Sequence, residues 1–239
     1  MSTLFIADLH LSDDQPEIYQ RFKNFITTKA RNSRALYILG DLFEYYLGDD
    51  AMSPIAMQVG KDLYELSVIH SVDCYFLAGN RDFLVGDEFA KLAHLTLLED
   101  PSIIQLDQIK LLLTHADQLC TDDIEYQKVR LQIRSKQWKQ WFLNQSVAER
   151  IEFAKQARIK SQEHTKSVNS EIMDVNQVAV EDLFQQSKID YILHGHTHRP
   201  AFHQLKLNNK NYLRMVLGDW HYQTSYIEYQ NNNFQLISS

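Results

Sequence analysis

Residues 3–10 read TLFIADLH, a short apolar run that ends abruptly in Asp-Leu-His. An unbroken apolar run of this length, closed by polar residues, has the pattern of a strand buried on both faces. The form recurs along the chain. Ala35–Leu39 is followed by Gly40-Asp41, and residues 74–78 by Gly79-Asn80-Arg81-Asp82. Residues 111–114 end in His115, and residues 191–193 run into HGHTH at 194–198. Helical patterns separate the first three runs. One covers residues 16–30, with Ile18, Phe22, Phe25 and Ile26 on one face, and the other residues 54–70. That β-α-β-α-β order predicts right-handed crossovers, with strand C-termini gathered at one edge.

Beyond this core, residues 103–106 and 110–114 read as a hairpin joined through Asp107-Gln108. Residues 202–207, 212–217, 225–229 and 234–237 look like antiparallel strands, with Asn-rich turns at 208–209 and 231–233. Residues 116–190 carry long helical patterns and little strand signal, which predicts a helical insertion in a β-rich layer.

At 239 residues and 44% apolar, the chain can bury one good-sized core as a single domain. Cys74 and Cys120 are too few for a disulfide framework and fit a reducing compartment. Asp8 and His10 interrupt the first apolar run too early for a secretory signal, and no stretch approaches the ~20 apolar residues of a membrane span. The expectation is a cytoplasmic protein. Net charge is −7, which argues against bulk nucleic-acid binding. The average hides an asymmetry. Residues 126–168 hold ten Lys or Arg against Glu149, Glu152 and Glu163, a balance of +7, while the remainder carries −14. One stretch is suited to an anionic surface or ligand and the rest is not.

Asp8, His10, Asp41, Asn80, His115, His196 and His198 all fall at predicted strand ends, where α/β folds keep their sites. Singly, each has an ordinary explanation: a helix cap, a turn, a surface histidine. Together, seven oxygen and nitrogen donors exceed what one ion uses. An Asp shared between two ions resolves the count, with centres ~3.5–4 Å apart. The absence of thiolates points to a hard or borderline metal such as Mn²⁺.

DLH (8–10), GD (40–41), GN (79–80), His115 and GHTH (195–198) resemble, in order, the calcineurin-like metallophosphoesterase pattern. The resemblance spans essentially the whole chain. It implies a four-layer α/β/β/α sandwich, one domain over residues 1–239, interrupted by a helical insertion or cap at about 122–170. It also implies two ions, one on Asp8, His10 and His198 and the other on Asn80, His115 and His196, with Asp41 bridging. Catalytic work would fall to Asp41, Asn80, Arg81 and His196, through a metal-activated water attacking phosphorus in line. Most of that superfamily carries His where this chain has Arg81. Arginine has no usable proton, but it can grip a phosphate bidentately. The alternative is an ion pair with Asp82 or Asp87.

GNRDFL (79–84) narrows the resemblance to the UDP-2,3-diacylglucosamine diphosphatases of lipid A synthesis. TLFIADLHLS (3–12), ALYILGDLFE (35–44), LCTDD (119–123), IMDVNQ (172–177) and HGHTHRP (194–200) are similar to the same group. The resemblance implies hydrolysis of UDP-2,3-diacylglucosamine to UMP and 2,3-diacylglucosamine 1-phosphate, with two Mn²⁺ per chain. The setting it implies is the cytoplasmic side of the inner membrane of a Gram-negative bacterium, as a peripheral protein with no obligate protein partner. Asn80, Arg81, Asp123, Ser161 and His196 match substrate-contact positions, with Tyr126 a further candidate. Thr165 and Val168 stand where the group has Asn and Lys, and Lys166 lies nearby out of register. Asp219, in LGDW (217–220), stands where relatives often have Ala. In the insertion, Val129, Ile133, Trp138, Trp141, Phe142, Ile151, Phe153 and Ala154 would line an acyl slot, and interleaved basic residues would lie on an anionic membrane surface. The plainer alternative is that they pack the insertion onto the core. Two rivals to this activity are a generic metallophosphoesterase and a non-catalytic scaffold.

Overall fold

The computed structural model describes residues 1–167 and 172–239; the side chains of Gln162 and residues 164–167 lie outside the description. The first half runs β1 (Thr3–Ile6), α1 (Pro16–Thr28), β2 (Ala35–Leu39), α2 (Pro54–Tyr64), β3 (Asp73–Leu77), α3 (Asp87–Ala93) and β4 (Thr96–Leu98). A hairpin follows, β5 (Ser102–Leu106) and β6 (Ile109–Thr114). Then come α4 (Ile124–Arg134), α5 (Lys136–Leu143), α6 (Val147–Ser167) and α7 (Gln177–Ser187). The chain closes with β7 (Tyr191–His194), β8 (Ala201–Leu207), β9 (Lys210–Val216), β10 (Ser225–Gln230) and β11 (Asn233–Ser238).

The strands form two sheets, ordered β11-β10-β1-β2-β3-β4 and β5-β6-β7-β9-β8. Side-chain alternation sets the layers. Leu4 and Ile6, with Leu36, Ile38 and Phe76, face the helices and pack on Ile18, Phe22, Phe25, Val59 and Leu63. Their alternates Phe5, Ala7, Tyr37, Leu39 and Leu77 face the second sheet and meet Leu111, Leu113, Leu193 and Met215. Leu112 and Ile192 point the other way, against Val180 and Phe184 of α7. Period-two alternation on strands buried on both faces therefore yields helix, sheet, sheet, helix, the expected α/β/β/α sandwich.

Local chemistry explains many boundaries. Ser53 caps α2 by accepting from Ala56 N at 3.2 Å, with Pro54 in the first turn. Asn176 caps α7 through Val178 N and Ala179 N. The two-residue turns after β8 and β10 put both asparagines at left-handed φ: 50° and 61° at Asn208 and Asn209, 53° and 59° at Asn231 and Asn232. Asparagine tolerates that region, and such turns match the twist of the hairpin strands.

Three details differ from the sequence expectation. The regular part of α2 stops at Tyr64 and passes through a π-helical turn at Glu65–Ile69. The short α3 and β4 carry too little periodicity to have been read. The C-terminal strands also do not form one antiparallel set. β9 pairs with β7 in parallel and β8 antiparallel to β9, whereas β10 crosses to the first sheet, antiparallel to β1. Turn chemistry specifies the hairpins but not the sheet each one joins.

Among the described residues, no helix is long and apolar enough to cross a membrane.

Candidate metal centre

β1, β2 and β3 are parallel neighbours, as are β6 and β7. Their C-terminal ends bring all seven metal-capable residues to one edge. The loops stay tied beyond the strands: Asp8 N donates to Gly40 O at 3.1 Å and His10 N to Asp41 O at 2.9 Å. Five of the seven, Asp8, His10, Asp41, His196 and His198, have φ between 51° and 69°. For non-glycine residues this costs about 1–3 kcal/mol each and persists only where surrounding contacts hold it. Two glycines make room. A Cβ at Gly79 would lie 2.2 Å from Asp41 Oδ1, and one at Gly195 2.6 Å from Asp8 Oδ2.

Two clusters result. Asp8, His10 and His198 offer ligand atoms all within 4.8 Å of one another, as do Asp8, Asp41 and His115. His10 Nε2 and His198 Nε2 face each other at 3.3 Å. Asn80 Oδ1 lies 2.9 Å from His115 Nε2 and 3.0 Å from His196 Nδ1. Asp41 stands between, with Oδ2 3.9 Å from His10 Nε2 and Oδ1 3.6 Å from His115 Nε2. Asp8, Asp41 and His115 are almost fully buried.

The electrostatics fit a divalent cation. Burial pushes the Asp8 carboxyl up, but His198, His115 and His10 outweigh it and bring it down to about 2. Burial pushes His115 down, and Asp41, Asp8 and Asp117 overcome this and raise it to about 9. His196 falls to about 4, through burial first and then the neighbouring His115. Without metal, the cluster holds a proton beside buried carboxylates at neutral pH. A divalent cation held by these residues would supply more positive charge to the same donors.

Arg81 lies on the rim. Its N–H donates to Asp41 Oδ1 at 2.8 Å, and its guanidinium reaches Glu44 at 3.9 Å. The pairing with Asp82 is absent because that carboxylate is buried and taken. It accepts from Gly79 N at 2.8 Å, Leu42 N at 2.7 Å and Asp41 N at 3.3 Å, buckling the GD loop to the GN loop. Glu44 and Asp82 were not read as site residues, although GDLFE and GNRD each end in a carboxylate beside a ligand.

Tyr126 stacks on His196 with ring centroids 6.1 Å apart and donates its hydroxyl to Asp117 at 2.8 Å. Asp117 also pairs with Arg130 at 2.8 Å and Arg134 at 3.3 Å, and Arg134 donates to Gly79 O at 2.9 Å. This hub seats α4 against the metal loops, and nothing in the local pattern around Asp117 announced it. Asp123 caps α4 by accepting from Tyr126 N at 3.0 Å. Ser161 lies half-buried on α6. Thr165 and Lys166 are also on α6, but their side chains lie outside the described residues, as does Val168 altogether.

An aromatic seam begins at Phe83, two residues after Arg81. Phe83 meets Trp138 at 6.0 Å, and Trp138 stacks on Phe142 at 4.8 Å and meets Phe153 at 5.6 Å. Phe142 is buried, but Trp141, Phe153 and Ile159 are 50%, 40% and 48% exposed. Some apolar residues of α4–α6 therefore pack the helices together, and others face outward.

Comparison with known proteins identifies the family. The family model described as calcineurin-like phosphoesterase matches residues 1–200. A UDP-2,3-diacylglucosamine hydrolase from Proteus mirabilis is 40% identical over 237 residues, covering 99% of this chain and 98% of its own. A protein of the same name from Yersinia pseudotuberculosis is 42% identical over 238 residues, covering 100% and 99%. Among solved structures, an archaeal phosphodiesterase is similar over the whole of both chains at 13% identity, with a TM-score of 0.49. With its ligand pattern at one sheet edge, a family model over most of its length and relatives that match it end to end, this chain belongs to the calcineurin-like phosphoesterases.

Proposed function

We propose that this chain hydrolyses the diphosphate of UDP-2,3-diacylglucosamine to UMP and 2,3-diacylglucosamine 1-phosphate, as a step of lipid A synthesis, with two Mn²⁺ as resident ions. One observation carries the reading: relatives matching the chain end to end at 40% and 42% identity are named UDP-2,3-diacylglucosamine hydrolase. The site supports it, since the ligand clusters and Arg81 share one edge beside an outward-facing apolar seam.

In this reading Asp8, His10 and His198 would hold one ion and Asn80, His115 and His196 the other, with Asp41 standing between the two sets. Bound there, divalent ions supply Lewis acidity and lower the pKa of a water at the phosphorus. The residues of the chain do the rest. Arg81 presents a planar fork to the diphosphate and neutralises the charge that builds as the bond breaks. It need not donate a proton, because a phosphate leaving group, with its second pKa near ~6, departs as a weak base. Tyr126 holds the His196 ring from behind. Asn80 orients its oxygen between His115 and His196. Asp123 and Ser161 contact the substrate's sugar side, with Thr165 and Lys166 proposed there from the resemblance alone, and α4–α6 belong to an insertion into one domain, at about 122–170, that receives the acyl chains. The +7 balance of residues 126–168 suits the anionic cytoplasmic face of the inner membrane, where each exposed, unpaired basic residue near the surface contributes ~1 kcal/mol.

The test is UMP release from UDP-2,3-diacylglucosamine, with and without Mn²⁺, against UDP-N-acetylglucosamine. The expected result is Mn²⁺-dependent release from the diacylated substrate and very little from the other. Comparable efficiency on both would replace this reading with a broad metallophosphoesterase.

A further inference from the structure

The four histidines of the centre differ in what stands on the side away from the cluster. His10 turns Nδ1 to the Glu44 carboxylate at 3.2 Å, and His198 turns Nδ1 to Asp219 at 3.7 Å. His115 has Nδ1 2.9 Å from the carbonyl oxygen of Leu39. His196 turns its Nδ1 inward to Asn80 Oδ1, a donor of its own set, and Tyr126 covers its ring. Both imidazoles on the Asp8 side thus have a carboxylate at the outer nitrogen. Among the described residues, the other two have none there.

The carboxylates are themselves held for this task. Glu44 is buried, and its oxygens divide the work: Oε1 takes Arg158 at 2.7 Å and Arg81 at 3.9 Å, leaving Oε2 for His10. Asp219 Oδ1 accepts from His221 N at 3.0 Å, leaving Oδ2 to face His198 at ion-pair distance, beyond hydrogen-bond reach. The His10–Glu44 contact is close but off the line of a well-directed hydrogen bond, and the buried His10 Nδ1 has no other acceptor among the described residues. The carboxylate is thus the group available to fix that ring.

A carboxylate behind an imidazole fixes the tautomer that leaves Nε2 free to coordinate, orients the ring and raises its basicity. A peptide carbonyl orients the ring too, but carries no net charge. We infer that Glu44 and Asp219 are positioning residues for the ion held by Asp8, His10 and His198, and that they make it the tighter of the two. The inference rests on the two-ion reading above.

The experiment is calorimetric titration of metal-free full-length protein with Mn²⁺, with bound ions counted independently and far-UV circular dichroism as the control for folding. Wild type should take two ions in resolvable steps, and His198→Ala should lose the tighter. Glu44→Gln and Asp219→Asn should each weaken the tighter step by about 10–100-fold and leave the weaker step unchanged. Asp219→Glu, which keeps the carboxylate, should retain most of the affinity. Arg158→Gln removes a cation from Glu44 but spares the carboxylate, and should leave the tighter step in place. Asp219 is partly exposed, so its variants remain informative even if Glu44→Gln fails to fold. Either variant binding both ions as wild type does, or weakening both steps equally, overturns the assignment of that residue while the two-ion reading stands. Fewer than two ions on wild type, or two intact steps in His198→Ala, overturns the reading itself.

Discussion

The strand-end platform and helices α4–α6 sit side by side and are built on opposite terms. On the platform Asp8, Asp41 and His115 are almost fully buried, and backbone, carboxylates and ring contacts hold each side chain from several directions. In the helices, α4 buries no side chain and α5 buries only Phe142, while Trp141, Phe153 and Ile159 stand half-exposed. The platform stores backbone strain, and the helices carry unspent apolar surface. In the proposed function the difference separates two tasks. Donors that must meet within 3–4 Å need rigid strand ends. A surface that receives flexible chains needs exposed apolar area that can adjust.

The contrast should break most completely at Asp41. Asp41→Ala removes the oxygens facing both clusters, and turnover should fall to background with most bound metal lost. Metal analysis beside the activity assay checks this. Two ions per chain with near-normal turnover would dissolve the dinuclear arrangement.

On the helical side, Trp141→Asp should cut kcat/KM for the diacylated substrate by about 10–100-fold, the equivalent of losing burial of one large apolar side chain. Hydrolysis of a small chromogenic phosphodiester should hardly change, because it needs the platform alone. Equal damage to both would mean that the helices serve the fold and not the lipid. Remote binding energy used for positioning appears in rate as well as affinity, so kcat should fall along with apparent affinity.

Arg81 lies on the boundary between the regions. Arg81→Lys keeps the charge and loses the fork, so turnover should drop at least about tenfold, or ~1.4 kcal/mol of transition-state stabilisation. Metal content should stay unchanged; its loss would make Arg81 part of the platform.

The smallest effect concerns pH and sharpens the account of the platform. His115 is raised from 6.5 to about 9 in the metal-free protein. A group with a raised folded-state pKa binds more protons folded than unfolded, so its stabilisation is complete below pH 6.5 and is lost as pH rises through about 9. Melts in EDTA should therefore soften across that window. Mn²⁺ must displace the same proton, so its stabilising effect should grow over the same range. A gap between the two melting curves that stays constant with pH would remove His115 from the ligand set.

Much of this was legible in the chain because it is local. A strand buried on both faces must be a short apolar run, and a ligand at its end must be Asp, Asn or His at the next positions. Each of the five blocks therefore carries its own signal. Asn208-Asn209 and Asn231-Asn232 likewise announce their turns through the one backbone region they tolerate well. Residues 164–168 left the least to compare, because their side chains lie outside the described residues.

What only the tertiary structure decided is pairing across distance. His10 and His198 are 188 positions apart yet meet at 3.3 Å. Their supports, Glu44 and Asp219, come from two other loops, and only the fold brings them behind those rings. The same holds for Asp117, whose buried carboxylate gathers Tyr126, Arg130 and Arg134 under the metal loops, and for β9 and β10, whose hairpins are locally alike but join different sheets. Residue type and spacing encode what a segment can become, through sterics and periodicity that act over a few residues. Which carboxylate stands behind which imidazole depends on how whole layers pack, and that is set by the burial of the entire core.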